Sequence, residues 1–233
     1  MSTADWKSLL ASRQDAHLRE LVELLRIPSV STDPARAGDV RAAAEVVSRR
    51  LRTAGVPIVD LIQTPLHPVV IGEWVIDDAR PTVLIYGHYD VQPEEPVDLW
   101  ETPAFEPAIR EGKLYARGSS DMKGNLLTAI QGVETIATAL GGAPPVNVKF
   151  LFEGEEEIGS PNLAPLLEAK RELLAADVVL SVDGGMEGPD TPSLTVSSKG
   201  LAACQIDLTT STTDLHSGVY GHKLPQSRRL AAA

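Results

Sequence analysis

Apolar positions near the N-terminus recur at helical intervals. Leu18, Leu21, Val22 and Leu25 fall on one face and Pro28 ends the run, which predicts a helix from about Asp5 to Leu25. Val40, Ala43, Ala44, Val47 and Leu51 repeat the pattern between Asp39 and Ala54, with Gly55 as the stop. The period then shortens to that of strands at Ile58–Ile62, Pro68–Glu73 and Thr82–Tyr86. Residues 91–117 hold little periodicity and carry Pro93, Pro96, Pro103 and Pro107. A loop that long is usually functional, and Trp100, Phe105 and Tyr115 are expected to pin it to the body. Beyond it come a helix over Lys123–Leu140 closed by Gly141-Gly142, a strand over Asn147–Phe152, a helix over about Asn162–Leu174 and a strand ending at Val182. Strand and helix in alternation predict parallel βαβ units. After Asp190-Thr191-Pro192 the texture changes: Leu194–Ser198 and Ala202–Thr210 alternate like strands with no helix between them.

The expected fold is therefore α/β. A mostly parallel, twisted sheet flanked by helices would occupy residues 1–194, and the first strands of an α+β lid would occupy residues 195–233. Of the 233 residues, 43% are hydrophobic and 23% charged, enough apolar content for a real core. The net charge of −11 disfavours nucleic acid and anionic lipid as partners. No run approaches the length and apolarity of a membrane span, and the start of the chain reads as an amphipathic helix, not a leader. Cys204 is the single cysteine, which excludes an internal disulfide. A cytoplasmic location is expected.

Chemistry gathers where the apolar runs end. Thr82–Tyr86 leads into Gly87-His88-Tyr89-Asp90, Asn147–Phe152 into Glu153-Gly154-Glu155-Glu156-Glu157, and Val178–Val182 into Asp183-Gly184-Gly185. Arg117-Gly118-Ser119-Ser120-Asp121-Met122-Lys123-Gly124 opens a helix between the first two. In an open α/β sheet the carboxyl ends of parallel strands line one rim, where ligands bind. One His and several carboxylates on that rim suit a divalent metal, or two, and hydrolysis by metal-activated water. Each motif also has a plainer reading: a capped turn for His88 and Asp90, an N-cap for Asp121, a solvated acidic turn for Glu153–Glu157 and a glycine turn for Asp183. Their joint order along the chain favours the metal site. His17 and His67 read as helix-surface and turn residues, His222 as a tail residue and Cys204 as a small filler in a strand.

These motifs, together with Asp214-Leu215-His216-Ser217-Gly218-Val219-Tyr220-Gly221, resemble the co-catalytic zinc metallopeptidases. That family includes carnosine dipeptidases, acetylornithine deacetylases, succinyl-diaminopimelate desuccinylases and aminoacylases, and the resemblance is strongest to the dipeptidase branch. It implies that His88, Asp121 and Asp183 hold one Zn2+, that Asp121 bridges to a second held also by Glu157, and that Mn2+ or Co2+ can substitute. It further implies Glu156 as general base, Asp90 as the group orienting His88, and a cis peptide between Asp121 and Met122. His216, in the lid of a homodimer, would reach the partner subunit's site and polarise the scissile carbonyl. The substrate would be a small peptide or N-acyl amino acid.

The family pattern also includes a late His ligand and a longer lid. Here Gly221 is followed by His222-Lys223-Leu224-Pro225-Gln226-Ser227-Arg228-Arg229 and alanines, which reads as a C-terminally truncated chain. The second expectation is thus an inactive remnant that keeps a partial metal site. A serine hydrolase built on Ser119 or Ser120 lacks the Gly-x-Ser-x-Gly elbow, and no dinucleotide or phosphate-loop motif is present.

Overall fold

Seven strands and four helices follow one another in a computed structural model that describes residues 6–188, 190–197 and 200. They are α1 (Trp6–Leu25), α2 (Ala37–Thr53), β1 (Ile58–Ile62), β2 (Val69–Trp74), β3 (Thr82–His88), β4 (Ala108–Arg110), β5 (Lys113–Tyr115), α3 (Lys123–Ala139), β6 (Asn147–Glu153), α4 (Leu163–Ala169) and β7 (Val178–Ser181). The chain divides into compact units at Met1–Ser193 and Leu194–Ala233. The first carries every element named here.

Five strands form one sheet in the order β1-β2-β6-β3-β7. β3, β6 and β7 are parallel, and β1 and β2 continue the sheet as an antiparallel hairpin. This is the expected α/β fold, with its parallel part where the chemistry lies. β6 is buried along its whole length, as a central strand covered on both faces must be. On one face Leu24 of α1, Val40, Val47 and Leu51 of α2, and Leu126 and Ile130 of α3 pack against Val70, Ile85, Phe150 and Phe152. On the other, Leu163, Leu166 and Leu174 cover Ile71, Leu84 and Leu151.

The first three helices are also tied by charge. Arg50 of α2 pairs with Glu20 of α1 at 2.7 Å and with Glu134 of α3, which also binds Arg13. Arg50 and Glu134 are buried, and buried ions persist where they are paired. His17 lies against this network and is buried, not on the helix surface as the periodicity of α1 suggested. The reason is that α3 packs over that side of α1, where Gln131 donates to the His17 carbonyl oxygen.

Four further expectations change. The segment 91–117 contains a hairpin, β4–β5, that its four prolines had hidden. Trp100 is held by Glu94 and Arg117, and Phe105 by Arg36, but Tyr115 is exposed and stacks on Arg110 of its own hairpin. The second helix of the βαβ pattern is shorter than expected and ends at Ala169. Residues 194–197 form no strand; Leu194 and Val196 are exposed, and an alternating segment becomes a strand only where a ladder receives it. Ala202–Thr210, Cys204, His216 and His222 lie outside the described residues.

Candidate metal centre

β3 delivers His88 to the rim at its last residue, paired in register with Glu153 at the end of β6. His88 and the neighbouring Asp90 are both fully buried. The imidazole Nδ1 lies 3.1 Å from the Asp90 carbonyl oxygen and 3.3 Å from Asp90 Oδ1. Those acceptors place the ring proton on Nδ1 and leave Nε2 as a free ligand atom. Nε2 is buried and has no hydrogen-bond partner. Facing it instead are Asp121 Oδ1 at 3.3 Å, Asp183 Oδ2 at 3.5 Å and Glu156 Oε2 at 3.7 Å.

Each acid reaches that point from a different element. Asp121 precedes α3 but does not cap it: Met122 is the N-cap residue, and no side chain bonds the helix end. The Asp121–Met122 peptide is cis, as the resemblance implies. Glu156 and Glu157 stand in a 3-10 turn directly beyond β6. Asp183 follows β7 at the start of a turn closed by the Gly184 amide on the Val182 carbonyl. Ligand atoms of His88, Asp121 and Glu157 lie within 4.8 Å of one another. The six side chains predicted from residues 88 to 183 therefore meet at one place.

The electrostatics ask for a cation. Burial raises the Glu156 pKa, and Asp183, Asp90 and Asp121 raise it further against the pull of His88. Burial likewise raises Glu157, with Asp121 adding to it and a hydrogen bond from Gln92 opposing it. Burial disfavours a charged His88, but Asp90 and Glu156 outweigh it and carry the ring up to about 9, so Nε2 holds a proton that a bound cation would displace. An orphaned imidazole nitrogen surrounded by carboxylate oxygens is a donor set that suits Zn2+ or a similar divalent ion.

Several supporting residues escaped the sequence reading. Glu155 is buried and accepts from Thr64 Oγ1, the His67 amide, the Asn162 amide and Asn162 Nδ2. Glu153 accepts from Tyr86 and Ser160. Lys123 is fully buried, with its amine donating to the carbonyls of Leu24 and Ile27 at the end of α1. Burial lowers its pKa to about 7 against the attraction of Asp90 and Asp39. Ser31 donates to Asp90. Long-range partners define all four roles, and no local pattern marks them.

The chain belongs to peptidase family M20/M25/M40, whose sequence profile matches residues 84–222. It is 35% identical over 233 residues to the Cys-Gly metallodipeptidase dug1 of Schizosaccharomyces pombe, covering 95% of this chain and 49% of that protein. It is 32% identical to the β-Ala-His dipeptidase of Rattus norvegicus, covering 93% of this chain and 43% of that one. Among solved structures, the dipeptidase Dug1p of Saccharomyces cerevisiae superposes with a TM-score of 0.75 at 28% identity, over 95% of this chain and 49% of that chain. Human carnosine dipeptidase 1 gives 0.72 at 29% identity, over 79% and 41%. The chain thus spans about half the length of the relatives it matches. Family membership implies a metal cofactor, and no described helix is long and apolar enough to cross a membrane.

Proposed function

We propose that this chain carries the metal-binding part of a dipeptidase that hydrolyses its substrate at a pair of zinc ions. The observation that carries the reading is the buried, unpartnered His88 Nε2 facing oxygens of Asp121, Asp183 and Glu156 at 3.3–3.7 Å. His88, Asp121 and Asp183 would hold one ion, and Asp121 and Glu157 the other. When bound, such ions supply Lewis acidity toward the scissile carbonyl and make a neighbouring water more acidic.

The remaining chemistry falls to the protein. Asp90 keeps the His88 proton on Nδ1. Glu156, whose pKa is raised first through burial, would take a proton from water and return it to the leaving amine. Asp121, whose side chain is 69% exposed, faces the solvent side from which a substrate enters. His216 completes the proposal as the group that polarises the carbonyl in a partner subunit's site, from a lid that begins near residue 195.

The relatives support dipeptides such as Cys-Gly and β-Ala-His as the substrate class, with N-acyl amino acids as the alternative. No observation favours an inactive remnant. The test is zinc uptake followed by turnover of a panel of both substrate types. Glu156→Gln is expected to keep its zinc and to lose about 10²–10⁴-fold in kcat. A zinc-loaded chain that hydrolyses no member of the panel would overturn the reading.

A further inference from the structure

Residues 29–31, just past α1, run beside residues 89–91, just past β3. Val30 and Val91 form a parallel bridge, the Val91 amide donates to the Ser29 carbonyl at 3.0 Å, and Ser29 Oγ donates to the Tyr89 carbonyl at 2.7 Å. This clip brings Ser31 Oγ to 2.6 Å from Asp90 Oδ2. Both residues are buried, Ser31 at 7% exposure and Asp90 at 0%.

The Asp90 carboxylate is a junction. Oδ1 faces His88 Nδ1 and accepts from the Glu156 amide at 3.3 Å. Oδ2 accepts from Ser31 and from the Glu157 amide at 3.1 Å. One carboxylate therefore fixes the imidazole that ends β3 and the two residues of the acidic turn that ends β6. A carboxylate can turn about its own bond, and the two amides belong to the turn it is meant to hold. Ser31 belongs to neither loop, so its hydroxyl ties the Asp90 carboxylate to the segment between α1 and α2. Being neutral, it satisfies Asp90 without cancelling the charge that His88 uses.

We propose that Ser31 is a positioning residue of the metal centre: its hydroxyl fixes the Asp90 carboxylate, which in turn orients the His88 imidazole and the Glu156–Glu157 backbone. The inference rests on the metal-centre reading. Outer partners of metal-binding His residues commonly affect metal affinity by about 10–100-fold.

The experiment measures zinc affinity of the 233-residue chain by competition with a chelator, alongside the melting temperature of the metal-free protein. Ser31→Ala is expected to weaken zinc binding by about tenfold or more, and Ser31→Thr, which keeps the hydroxyl, to restore it. Ser29→Ala, which removes the neighbouring clip bond, is expected to lower the melting temperature without that loss of affinity. Should Ser31→Ala not fold, Ser31→Cys replaces it, since a thiol is a weak donor of similar shape, and the same loss is expected. Wild-type affinity in Ser31→Ala or Ser31→Cys, or an equal loss in Ser29→Ala, overturns the inference. A wild-type chain that takes up no zinc overturns the metal-centre reading instead.

Discussion

Four carboxylates within five residues, from Glu153 to Glu157, look interchangeable as a string of letters. Their partners make them different. Glu155 turns into the protein and joins the turn at Thr64 and His67 to Asn162, whereas Glu156 turns toward His88. Truncating Glu155 to Ala strands the buried His67 amide together with the part-buried donors of Thr64 and Asn162, each costly to leave unpaired. Glu155→Ala is expected to destabilise the fold by about 3 kcal/mol, read from denaturant unfolding, while Glu156→Gln leaves the unfolding midpoint close to wild type. The sequence made the acidic cluster visible and, through the resemblance, singled out Glu156 as the proposed base and Glu157 as a proposed metal ligand. It did not reveal the structural pair, because Thr64 and His67 lie 91 and 88 residues away from Glu155. Ser31 was invisible for the same reason: it meets Asp90 across 59 residues.

Helices and strands were legible wherever their apolar pattern runs long enough to read. The apolar stripe of α2 and the apolar run of β6, broken only by Lys149, both mark their elements in the sequence to within a few residues. The β4–β5 hairpin was not legible, since three-residue strands give too short a pattern to read. The junction of turn and helix at Asp121 lies between these cases. Gly124 in the first turn of α3 leaves no room for a side chain: a Cβ there would overlap the Ser119 carbonyl oxygen. The backbone would have to give, and the turn that gives carries Asp121. Gly124→Ala is expected to cost about 1–3 kcal/mol of stability and to weaken zinc uptake, with helix content by circular dichroism unchanged. Full zinc affinity in a folded Gly124→Ala protein would show that the turn yields without moving Asp121.

Across the molecule, charge and topology set behaviours that no single element carries. His17 sits where α1 meets α3, facing Arg13 and Glu20 of its own helix, Arg50 of α2 and Glu134 of α3. Burial, and then Arg13, lower its pKa. Because the folded value lies below the ordinary 6.5, protonation favours the unfolded chain. The stability that depends on a neutral His17 is intact above pH 6.5 and is lost as pH falls from there through the lower folded value. Urea unfolding from pH 7.5 to 5 is expected to show this slope in the wild type and a flatter one in His17→Gln. The sheet order carries a different consequence. β2 and β3 are neighbours in the chain, yet β6 lies between them in the sheet. A nascent polypeptide has no way to join its early hairpin to β3 until residues 147–153 have emerged, so the seam of this sheet stays open until that strand is made, and the imidazole at residue 88 must wait for most of the acids that will surround it.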